Sequence, residues 1–165
     1  MHYSTLLSFG YYDIINSALV VFFVIATYKD VRHREIPIIL CGIITAISFA
    51  LHMVFKTGHI EFIIAAAGLA IIYFIQCVLS TGGGGDVIMM TMLGFCIGIT
   101  GSLVTIICSG VYTFVYMMCV RIKTKSVCNV EYPMAPFVFS GFMTYMVLGY
   151  TGILSYVFQL VYNIL

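Results

Sequence analysis

Two aspartates are the residues of this chain best placed for chemistry. Asp30 sits in "YKDVRHREIP" (Tyr28 to Pro37), and Asp86 closes "LSTGGGGD" (Leu79 to Asp86). Each borders a long apolar segment. Ionisable residues near an apolar layer are costly and default to functional candidates. Carboxylates handle protons, in hydrolysis or in ion transport. Taken singly, each has a structural reading: Asp30 as a solvated loop acid, Asp86 as the N-cap of the helix that follows it. A phosphate-binding loop fits the glycines poorly. No Lys-Ser/Thr follows them, and Asp86 would repel an anion.

The elements that must hold these acids are apolar helices. Of 165 residues, 62% are hydrophobic and 8% charged. A soluble core of this size could not hide that much apolar surface, and runs beyond about 18 apolar residues read as membrane spans. The runs are continuous rather than alternating, which excludes a transmembrane barrel. They fall near 14–28, 36–55, 60–80, 87–99, 102–120 and 134–163. The expected fold is an all-α polytopic membrane protein of about six transmembrane helices, forming one domain over 1–165. Only "GITGS" separates the fourth run from the fifth, so the pair is either a tight hairpin or one long bent helix. Gly42, Ala65, Ala66, Ala67, Gly68, Gly94 and Gly98 would let helices approach closely. The N-terminus lacks a basic n-region and a cleavage site, so no signal peptide is expected. The six cysteines form no C-x-x-C pair, and neither a disulfide framework nor a zinc site is expected. The net charge of +1 offers no long basic face to nucleic acid.

Orientation follows from the basic residues. Lys29, Arg32 and Arg34 lie between spans one and two, and Arg121, Lys123 and Lys125 between spans five and six. Only Lys56 falls elsewhere. With six spans the two basic loops share one side, expected to be cytoplasmic, and the glycine loop joins them there. Asp30 and Asp86, far apart in sequence, are then expected at the same depth.

These residues resemble the type IV prepilin peptidase family. Gly83-Gly84-Gly85-Asp86 fits the G-x-G-D signature of polytopic aspartyl proteases. Asp30 to Pro37 looks like the family's first aspartate motif, an acid six residues before Ile36-Pro37. "PMAPF" (Pro133 to Phe137) is similar to the proline motif opening the last core helix. All three prolines of the chain, Pro37, Pro133 and Pro136, fall in these motifs. Two positions depart from the family pattern: Ile38 follows Pro37 where asparagine is common, and Ile88 follows Val87 where lysine is common. The loop from Lys29 to Glu35 is too short for the cytoplasmic insertion of the bifunctional members, so the resemblance is to the short, peptidase-only ones.

The resemblance implies an aspartic endopeptidase that removes the short basic leader of prepilin-like proteins at the cytoplasmic face of a prokaryotic plasma membrane. Asp30 and Asp86 would be catalytic. One proton shared by the two carboxylates is the stable state, since like charges at one site disfavour double ionisation. No metal or organic cofactor is required. The partners are the substrate protein and the bilayer; the oligomeric state is left open. The glycines would allow positive φ and remove side chains from the approach to Asp86. Helix dipoles, if they dominate, make Asp86 the base and Asp30 the acid. Two other readings stay open: an impaired pilus-assembly scaffold of the same fold, and a small proton- or ion-coupled transporter. Glu35 and Glu131 read as solvated loop acids, His52 and His59 as solvated histidines near Lys56, and Tyr11, Tyr12 and Tyr28 as interfacial anchors.

Overall fold

The chain is described by a computed structural model covering the backbone of residues 3–55, 59–79, 83–124 and 132–153. Lys56, Gly82, Lys125, Cys128, Glu131 and the end of the last apolar run (154–163) lie outside the described residues. Among the described residues five helices form: α1 (Tyr3–His33), α2 (Ile38–Phe55), α3 (His59–Leu79), α4 (Gly84–Thr124) and α5 (Ala135–Tyr150). In an apolar layer the backbone must satisfy its own hydrogen bonds, and continuous helices do so. By length and composition, the first four contain segments able to cross a membrane, and α5 is a shorter apolar helix. The protein is a multi-pass helical membrane protein.

The termini of α1 and α2 have local causes. Arg34 takes φ 58°, the left-handed stop that usually favours glycine, and its N–H donates to the Asp30 carbonyl at 3.1 Å. Ile36 precedes proline, which disfavours helical geometry there. The Pro37 carbonyl then accepts the Cys41 N–H at 3.2 Å as α2 begins.

α4 holds the fourth and fifth apolar runs, and it folds back on itself at Gly98. That residue takes φ 71°, ψ −173°, a conformation open essentially to glycine alone. Its Cα faces Glu61 and Phe62 at the start of α3. Beyond the turn, Gly101 meets Tyr145 of α5, and Tyr116 meets Phe137, with ring centroids 5.2 Å apart. α5 itself starts beside Asp30 and ends where Tyr150 donates to Asp13 at 2.7 Å. The second arm of α4 therefore runs back toward the Asp30 end. The tight hairpin is the form adopted, and it gives six antiparallel helical passes among the described residues.

The core lies where α1, the first arm of α4 and α5 meet. Leu19, Phe22, Phe23, Met89, Met90, Leu93, Val138 and Phe142 are buried there. Phe23 packs on Phe142 with ring centroids 5.4 Å apart. Two seams depend on missing side chains. A Cβ on Gly94 would lie 2.9 Å from the Ala65 and Ala66 backbone, and one on Gly141 would collide with the Thr105 carbonyl. Gly42 and Gly68, also expected in seams, have nothing within 4 Å of such an atom.

Two expectations at the far end of the bundle are corrected. His52 is 1% exposed and lies in the core rather than in a solvated turn. Tyr11 is equally buried, not an interfacial anchor. Its hydroxyl pairs with His52 Nδ1 at 3.2 Å, while Nε2 meets the Phe95 carbonyl at 3.3 Å. A buried ring with two polar atoms needs partners, and helices α1 and α4 supply them. Tyr12 and Tyr28 are exposed, as anchors require. Cys41, Cys77, Cys96, Cys108 and Cys119 are not joined in disulfides.

Candidate active site

Three short stretches converge at one end of the bundle. Asp30 lies in the last turn of α1 and is only 7% exposed. The bulk of the helix is apolar, so its carboxylate must find a donor inside the protein. It finds one in α5: the Ala135 N–H donates to Asp30 Oδ2 at 2.8 Å. The proline stretch makes that donor available. Met134, the N-cap residue, provides no side-chain cap, and Pro136 in the first turn has no N–H to satisfy. Asp30 thus supplies, from α1, the cap that α5 lacks.

Asp86 lies in the first turn of α4, partly buried, with its N–H on the Gly83 carbonyl at 3.1 Å. The buried Met89, Met90 and Leu93 that follow fix this turn against the core. Asp30 is near enough for its charge to act on Asp86. The Ile36-Pro37 stretch enters through packing: a Cβ on Gly85 would lie 3.1 Å from that of Ile36. Gly83, Gly84 and Gly85 do not take positive φ; among the described residues Gly98 and Gly152 are the glycines that do. The value of Gly85 is therefore close approach and not left-handed geometry.

All nine residues singled out from the sequence lie at this end. Asp30, Ile36, Gly85, Asp86 and the start of α5 are brought together, with Pro37, Pro133 and Pro136 shaping the adjoining chain. Gly83 and Gly84 are exposed at the start of α4. Asp13, the third aspartate, is excluded: it lies seventeen residues back along α1, about 26 Å away at helical rise, and accepts from Tyr150. Arg32 turns aside onto Tyr28, donating to its hydroxyl at 2.6 Å with its guanidinium over the ring. Sequence reasoning missed Tyr73. This half-buried residue of α3 is within electrostatic reach of both Asp86 and Tyr132. Its one signal was a phenol inside a largely apolar run, nine residues before the first of the glycines.

Comparison with known families decides the kinship. The profile of the type IV leader peptidase family matches residues 17–118, more than half the chain. The chain belongs to the type IV leader peptidase family. The match spans Asp30, Ile36-Pro37 and the glycine-aspartate stretch; Pro133 and Pro136 lie beyond it. No curated protein and no solved structure matches the chain. As a type IV leader peptidase-like protein it is a protease, and peptide hydrolysis is the chemistry against which its two aspartates must be read. Two carboxylates in mutual reach can serve that reaction, one accepting a proton from water and one donating to the carbonyl oxygen.

Proposed function

We propose that this protein is an aspartic endopeptidase that removes the short leader of prepilin-like proteins, with Asp30 and Asp86 as its catalytic pair. The observation that carries the reading is the placement of Asp30 and Asp86 at one end of the bundle, within electrostatic reach of each other, in a chain of this family. The whole of 1–165 acts as one peptidase domain in a prokaryotic plasma membrane. The basic residues flanking this end support a cytoplasmic placement. A substrate whose leader precedes an apolar helix would present its cleavage point at that depth. Both acids at one end also suit cleavage better than transport, whose sites tend toward the midplane.

In the reaction, the two carboxylates hold one proton between them. Water attacks the scissile carbonyl carbon and gives a proton to the carboxylate. The carboxyl gives its proton to the carbonyl oxygen, forming a tetrahedral diol. Collapse breaks the C–N bond. The newly protonated aspartate protonates the leaving amine, and the other recovers its proton from the hydroxyl. Both groups return to their starting state.

The test is co-expression with a prepilin-like protein, scored for leader removal on a gel. A shortened product with a mature N-terminus supports the reading. An intact precursor beside folded, membrane-inserted protein, across a panel of prepilin-like substrates, would favour the scaffold reading, to which Ile88 in the lysine position already points.

A further inference from the structure

A pair that shares one proton needs an asymmetry to decide who holds it, and the structure contains one. Asp30 and Asp86 both lie near the positive N-terminal end of a helix, but in different ways. Asp86 belongs to the first turn of α4 and feels that end as a field. It is partly buried, with the Asp30 charge and the Tyr73 phenol within electrostatic reach. Asp30 is met by a donor in contact, the Ala135 N–H at 2.8 Å from Oδ2. The sequence had placed Asp30 at the unfavourable C-terminal end of α1. It could not show that the N-terminus of α5 is seated on the same carboxylate.

We propose that the Ala135 amide is a positioning group that makes Asp30 the base of the reaction and Asp86 the acid. The inference rests on the proposed function. A backbone N–H can only donate, so it complements a carboxylate oxygen and cannot accept from a carboxyl proton. With Oδ2 held by Ala135, Oδ1 of Asp30 is left to receive the proton of the attacking water. Asp86 then carries the shared proton and delivers it to the carbonyl oxygen. Of the two cations that flank Asp30 on α1, Lys29 is exposed to solvent and Arg32 is engaged with Tyr28, whereas the Ala135 amide is in contact with the carboxylate. The proline stretch acquires a reason as well. Pro136 has no N–H of its own, so Ala135 is the donor that the first turn of α5 presents to Asp30.

The test reads the proton directly. The chain has three aspartates, Asp13, Asp30 and Asp86. Labelling them with 13C at the carboxyl carbon in detergent-solubilised protein yields three signals, assigned by Asp13→Asn, Asp30→Asn and Asp86→Asn. At a pH where the pair carries one proton, Asp30 should show the carboxylate shift and Asp86 the carboxyl shift. The reverse pattern, or an even split, overturns the assignment. Ala135→Pro removes the one N–H at a helix position that tolerates proline. It should move proton occupancy toward Asp30 and lower kcat roughly ten- to a hundredfold, with KM little changed. A folded Ala135→Pro protein with the wild-type spectrum would show that the amide is not the cause. If that variant does not fold, the wild-type spectrum alone decides. The spectrum is taken without substrate, so failure to cleave a prepilin would count against the proposed function and leave this answer standing.

Discussion

Ile36 rests on Gly85, so closely that a Cβ on the glycine would lie 3.1 Å from the isoleucine's own. This contact joins the stretch after Asp30 to the stretch before Asp86. It is a close contact between the connection that leaves α1 and the start of α4. Gly85→Val should therefore push the α1–α2 connection that follows Asp30 away from the start of α4. A shift of about 1 Å costs roughly a hundredfold in rate, and cleavage should fall by that order while the protein stays folded. Adding Ile36→Ala to Gly85→Val should recover part of the loss. If the second change recovers nothing, the contact does not set the site's geometry.

The α4–α5 seam should be the least tolerant place in the bundle. Gly141→Val places atoms where the Thr105 carbonyl and the Ser109 backbone already lie. Overpacking of this kind costs about 1–3 kcal/mol, occasionally more. The expected result is a lower Tm in detergent and less folded protein. Gly42→Ala, with nothing within 4 Å of its new atom, should leave Tm unchanged or raise it, since alanine favours helix over glycine. Equal Tm values for the two variants would contradict the seam.

Much of this architecture was legible in the sequence. Continuous apolar runs gave the helical class and the expected number of passes, and the basic loops agreed with that number in parity. Three short motifs pointed to the candidate site that is proposed above. What stayed hidden was tertiary. "GITGS" allowed a bend or a reversal, and only the backbone of Gly98 decides between them. His52 looked solvated because it sits near Lys56 in the chain, but partners from α1 and α4 enclose it. The glycines before Asp86 suggested positive φ, yet Gly85 serves by having no side chain. The bond from Ala135 to Asp30 spans 105 residues of sequence and has no local signature.

Topology gives an independent check. Single cysteines at Arg32, Gly84 and Lys123, in a background free of the native six, should all be labelled from the cytoplasmic side. This follows from the basic residues at the Asp30 end. A Gly84→Cys probe reached only from outside would overturn both the orientation and the geometry of leader cleavage.

The central claim is that Asp30 and Asp86 act as one catalytic unit. Leader removal should be measured for Asp30→Asn, Asp86→Asn and the double variant, each confirmed as folded in the membrane. Each swap keeps the size of the side chain and removes the group that handles the proton. Residues that act as a unit are grossly non-additive, so both single variants should lose processing and the double variant should lose no more. Cleavage retained in either single variant would contradict the account.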